Sequence, residues 1–272
     1  MLVLFCCAMA PGFLLYWVVL PRMSSPLFSK SFLLPTVTKV TPALVFGSLL
    51  FGLGWSMGGF CPGPSVVGMM SGDADYISFS YGLYFAITLT FAFRSGISVT
   101  RGWALTGFLG LLPGLFYLFP LFAPVEDAKW QSWPLHLAVI GGFLIGLAAF
   151  ILMVTTGRLL GMSTLWRKIL EPTDPSSRVL ELVFFVGFLL GGLLAVRIEP
   201  QAFSAQPPPF NHLLLRFLGG VCVAIGTDYA NGCTSGHGVC GVPRLSIRSI
   251  VAVACFMASV FICKAFIDKL IH

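Results

Sequence analysis

Eight apolar runs, most of them about twenty residues long, leave this chain few folds to choose from. They cover 1–20, 43–59, 76–93, 102–122, 135–156, 179–198, 212–230 and 249–266. A bilayer core of about 30 Å takes about 20 residues of helix. The runs are continuous, whereas a transmembrane barrel would show alternating segments of about ten residues. Only 10% of residues are charged, against about 25% in soluble domains. The expectation is an all-α integral membrane protein with about eight transmembrane crossings, multi-pass in a plasma or inner membrane or an organelle.

Within the bilayer an unpaired backbone N–H or C=O costs several kcal/mol, so a span is normally an unbroken helix. Two places defy this. The second run ends in Phe60-Cys61-Pro62-Gly63-Pro64, and the seventh in Asn231-Gly232-Cys233-Thr234-Ser235-Gly236-His237-Gly238-Val239-Cys240-Gly241. Irregular backbone at membrane depth is tolerated where it is buried in protein or lines a cavity. Both stretches are therefore expected to be re-entrant breaks at the working site. Counting the broken second run, with the short helix over 65–71, as one crossing gives the total of eight.

Loop charge sets an orientation. The first, third, fifth and seventh connections hold eleven of the sixteen Lys and Arg residues, which places those connections in the cytoplasm. The net charge of +6 follows from this bias, and no nucleic-acid partner is expected. Of eight cysteines, Cys6, Cys7, Cys222, Cys255 and Cys263 lie inside apolar runs, where Cys acts as a small hydrophobe. Cys61, Cys233 and Cys240 lie in the breaks.

The breaks also mark a repeat. With Cys61 aligned on Cys233, Gly47 falls on Gly219 and Gly54 on Gly226. Glycines seven apart share a helix face and admit a second backbone. With eight crossings the copies run in opposite directions, a pseudo-symmetric inverted repeat whose broken helices meet near the midplane. The division expected is an N-terminal half, 1–125, and a C-terminal half, 126–272, in one membrane domain, with the two breaks as constrictions facing each other across the membrane.

Each break leaves the start of a short helix pointing inward, one near Pro64 and one near Ser235 or His237. Free N–H groups and the positive dipole end favour an anion there, and a thiol so placed is more nucleophilic. A sulfur-bearing anion uses both features. His237 can donate a hydrogen bond to it or cap the turn, and Asp228, at membrane depth, is a functional candidate or a backbone cap. Two alternatives use the same residues. Cys233, His237 and Cys240 could bind zinc or copper(I), although C-x3-H-x2-C is not a usual zinc spacing. Cys233 and Cys240 could form a redox or sulfur-transfer pair serving an embedded enzyme.

Residues 231–241 with Val242-Pro243-Arg244-Leu245-Ser246-Ile247-Arg248-Ser249, and Gly157-Arg158-Leu159-Leu160-Gly161-Met162-Ser163 upstream, resemble the YeeE/YedE sulfur-transport family. Leu50-Phe51-Gly52-Leu53-Gly54-Trp55 with residues 58–64 resembles the partner half, so the chain looks like a fusion with that half first. The resemblance implies a membrane permease, not an enzyme and without a cofactor or metal, for thiosulfate or a related small anion. A cytoplasmic sulfurtransferase is the partner expected to receive it. Carried over residue by residue, Cys61, Cys233 and Cys240 become path thiols, flanked by Pro62 and Gly63. Gly236 and Gly238 shape the turn, and Gly161 and Ser163 belong to a further break. Relatives of the first half usually open with an additional helix bearing a Gly-Met-x-x-Pro-x-Lys-type break. None is found in this sequence, so a shortened variant or an incomplete chain is expected.

Overall fold

The computed structural model describes residues 2–35, 37–71, 73–95, 135–159, 161–162, 165, 175–198 and 213–271. The expected run 102–122 and the candidate Ser163 lie outside them. The elements are α1 (Leu2–Leu14), which continues as a π-helical turn Leu15–Val19; α2 (Pro42–Gly58); α3 (Pro62–Gly68); α4 (Ala74–Ser95); α5 (Leu135–Thr156); α6 (Pro175–Ile198); α7 (Leu213–Ala230); a π-helical segment Ser235–Gly241; and α8 (Ile247–Ile271). Among the described residues, six segments are long and apolar enough to cross a membrane, including Val3–Arg22 and Pro42–Ser71 as single spans. The protein is an all-α, multi-pass integral membrane protein. The faces turned outward carry Val179, Val183, Val186, Leu190 and Leu194 on α6, the apolar stripe that lipid requires.

Local signals set the ends of α2. Thr41 caps its start, the hydroxyl accepting from Leu44 N at 3.2 Å, and Pro42 follows at a first-turn position that needs no N–H donor. At the other end Gly59 adopts a left-handed φ of 76° and donates to Trp55 O, a stop that glycine makes without steric cost. Helix α7 ends on Asn231, also left-handed at φ 54°, with Gly232 N donating back to Thr227 O at 3.0 Å.

Glycines bring α2 and α7 into backbone contact. A Cβ added to Gly47 would meet Gly226 O at 2.7 Å, and one on Gly54 would meet Gly219 O at 2.5 Å. The helices are therefore antiparallel. The contacts are crosswise in the alignment of Gly47 with Gly219 and Gly54 with Gly226, which is what a two-fold axis between two copies produces. The same crossing recurs further out. Helix α4 packs on α7 through Gly82 and Gly220, and α8 packs on α2 through Gly52. Helix α1 lies on the Ser235–Gly241 segment through Phe5 and Gly238, while α6 lies on α3 through Gly192 and Val67. Phe51, Phe79, Leu83 and Val223 form the dry centre where these helices meet.

Candidate functional site

Past each helix stop the chain turns back toward the centre and starts a short helix. Cys61 O accepts from Ser65 N at 3.0 Å, and Cys233 O accepts from His237 N at 2.9 Å. These are the same bond at matched positions of the repeat. The two starts converge: Cys61 Sγ lies 3.8 Å from Thr234 Oγ1, and Cys233 Sγ lies 3.1 Å from Ser235 Oγ. A third break joins them. Gly157 is left-handed at φ 72°, Gly161 O accepts from Leu165 N, and Met162 N donates to Ser235 Oγ at 3.4 Å. A Cβ on Gly63 would stand 3.4 Å from Met162 Cγ. Two thiols, two hydroxyls and the first turns of three helical segments thus share one locus.

This corrects the expectation of constrictions on opposite sides of the membrane. The two breaks meet, because after each stop three residues of non-helical chain carry the thiol inward. Cys240 is the thiol that stands apart. It packs with Ala8 and Val239, against Leu152, Leu159 and Phe184, whereas Cys61 and Cys233 belong to the central cluster. Cys233 and Cys240 thus fall in separate packing clusters, which share Phe184.

His237 is committed to the scaffold. Its Nδ1 lies 3.2 Å from Ser249 Oγ and its Nε2 3.1 Å from Ala230 O. Both ring nitrogens are engaged within the protein, which leaves no lone pair for the zinc or copper reading and none of the free donor expected for an anion. Gly238 is sterically required, since a Cβ there would lie 2.4 Å from the Phe5 ring. Gly236 is the opposite case, since an added Cβ there would meet nothing within 4 Å. Pro62 is buried at the first turn of α3. Asp228 is buried in the last turn of α7, where its backbone oxygen accepts from Asn231 N at 3.3 Å.

Two arginines escaped the sequence reading. Arg216 donates to Gly58 O, pairs with Asp75 at 3.3 Å and lies over the Phe60 ring, 5.0 Å from its centroid. Arg248 donates to Ala230 O at 2.9 Å. Gly58 and Ala230 are matched positions at the carbonyl ends of α2 and α7, so each broken helix has its orphan carbonyl closed by a buried guanidinium. No sequence signal marks this, because the two arginines occupy unmatched positions of the repeat. Thr234 and Ser235 carried a usable one, as hydroxyl residues at a helix start.

A sulphur transport family profile matches residues 120–262, more than half of the chain, and a family of unknown function (DUF6691) matches residues 3–102. A "Probable transporter" of Xylella fastidiosa strain Temecula1 is 35% identical over 125 residues, covering 44% of this chain and 86% of that protein. One from strain 9a5c is 34% identical over the same length and shares, and another from Temecula1 is 36% identical over 58 residues, 21% of this chain and 39% of that protein. With the family match over most of the C-terminal half and the break that carries its thiols, the chain belongs to the sulphur transport family.

Proposed function

We propose that the protein is a permease that passes a small inorganic sulfur anion, thiosulfate first among the candidates, through the locus where the breaks meet. The supporting observation is the convergence of Cys61, Thr234, Cys233 and Ser235 on the starts of two short helices. Helix N-termini offer N–H donors and positive potential to an oxyanion. A thiol beside them is a soft partner for a terminal sulfur, which phosphate or chloride would not use. Contact by S–H···S and O–H···O hydrogen bonds is sufficient, and no covalent step is needed.

The crosswise glycine contacts support reading residues 42–95 and 213–271 as inverted copies. Broken helices meeting between such copies are a recurrent transporter arrangement. In this reading the basic connections are cytoplasmic, and the anion leaves past Cys240 toward a sulfurtransferase.

Uptake of labelled thiosulfate into liposomes containing the purified chain tests the proposal. Losing a hydrogen bond to a charged group costs about 1.5–3 kcal/mol, about ten- to a hundredfold. Cys61→Ala and Cys233→Ala should each lower uptake by that factor, and Cys240→Ala by less. Uptake at the parent rate in all three variants would refute the thiol path.

A further inference from the structure

Where α1 lies on the second break, polar groups are buried without hydrogen-bond partners among the described residues. Trp17 Nε1 donates to Pro243 O at 3.0 Å, and Gly12 admits Pro243, whose Cγ would lie 2.9 Å from an added Cβ. These two contacts fix the π-helical turn of α1 against the end of the Ser235–Gly241 segment. The Tyr16 hydroxyl, Arg244 Nη1 and Arg248 Nε are buried there and make no hydrogen bond among the described residues. Cys240 and Arg244 are the electrostatic neighbours of Tyr16, and Arg244 and Arg248 are the charged neighbours of His237. Residues 1–72 and 229–267 contain no Asp or Glu, so neither segment supplies a counterion, and Glu181 on α6 already pairs with Arg158 at 2.8 Å. Native proteins leave few buried donors unpaired, and those left have a reason.

The first half shows that the scaffold does not need these groups. At the offset that aligns Cys61 with Cys233, the residues matched to Cys240 and Arg244 are Gly68 and Gly72. Gly12 on the second break and Gly192 on the first set the register of α1 against α6. Carried along, that register places Val196, a buried aliphatic, where α1 has Tyr16. A thiol, a phenol and a guanidinium have thus been placed on one copy only.

We infer that Tyr16 and Arg244, beside Cys240, form a second anion station, which holds the oxygens of a tetrahedral sulfur oxyanion while Cys240 faces its terminal sulfur. Tyr16 supplies one O–H donor and Arg244 a charge-assisted N–H donor. The inference rests on the transport reading above but extends to oxyanions lacking a terminal sulfur, such as sulfate, which the thiols do not recognise.

The test is equilibrium binding of labelled thiosulfate and labelled sulfate to the full chain in dodecyl maltoside, a detergent without phosphate, so that no lipid headgroup supplies the oxyanion. Parent, Tyr16→Phe, Arg244→Gln and Cys263→Ala are compared, with thermal unfolding as the control for folding. Sulfate binding should weaken at least about fivefold in Tyr16→Phe and at least about tenfold in Arg244→Gln, and remain at the parent level in Cys263→Ala, a thiol on α8 outside both anion sites. Tyr16→Phe removes a hydroxyl that bonds nothing among the described residues, so it keeps the test open if Arg244→Gln does not fold. Parent-like sulfate binding in Tyr16→Phe or in folded Arg244→Gln overturns the station, as does a parent that binds neither anion. If the parent transports no thiosulfate but loses sulfate binding in both variants, the substrate reading fails while the station stands.

Discussion

The two breaks are built alike and equipped differently. Each follows a glycine-packed helix, stops on a left-handed residue, has its terminal carbonyl closed by a buried arginine, and restarts with a bond to the carbonyl of a cysteine. Beyond that point they diverge. The first is packed by aromatic rings: Phe60 stacks on Tyr76 at 4.1 Å and meets Phe79 edge-on, and Tyr76 occupies the space a Cβ on Gly68 would need. The second continues into a histidine, a further thiol and two arginines. Backbone geometry has been kept in both copies while the chemistry has been concentrated in one.

The shared part can be attacked first, since the largest effects are expected there. Gly47→Leu and Gly226→Leu place side-chain carbon within 2.7 Å of the opposing backbone, where nothing flexible can yield. Each should cost at least about 3 kcal/mol, read as loss of the folded peak in size exclusion and a lowered unfolding temperature. Gly187→Leu, which faces open space, is the control. Unequal effects at Gly47 and Gly226 would break the symmetry of the comparison.

The arginines should sharpen it. Arg216→Met strands Asp75 without its cation, at about 3–5 kcal/mol for a buried pair missing one member. Asp75→Asn added to it should recover part of that loss. Arg248→Met removes a bond to a neutral carbonyl and should cost about 1–3 kcal/mol. Equal costs in thermal unfolding would show that Asp75 does not distinguish the first break.

The smallest effect separates scaffold from path within the second break. His237→Phe should lower stability by about 1–3 kcal/mol, for the contacts to Ser249 and Ala230. Uptake per folded molecule should fall far less than in Cys233→Ala. A folded His237→Phe protein without uptake would return the imidazole to the anion's path.

Much of this was legible from one dimension. The helices fall within a few residues of the apolar runs because spacing in a bilayer is set by length and apolarity alone. The start near Ser235 followed from the glycine-rich break, whereas the Phe5 ring that requires Gly238 appeared only in the fold. What could not be read was partnership. Arg216 lies inside the seventh apolar run with nothing nearby in sequence to name its partners, yet it is buried on α7 with Gly58 O and Asp75, both remote in sequence. His237 could have been donor or brace, and Ser249 and Ala230 decided for brace.

By itself, then, the sequence determined that the chain spans a membrane as helices and that two helices break at cysteines, with glycines at matching spacings before each. Those properties depend on composition, on glycine and proline, and on spacing, all of which act locally. Tertiary structure decided that the breaks meet rather than face each other across the membrane. It also decided that Cys61 and Cys233 share one locus without Cys240, and that Tyr16 and Arg244 lie at the end of one copy. These depend on how far each chain returns after its stop and on which helix covers it, and such long-range contacts are fixed by packing alone.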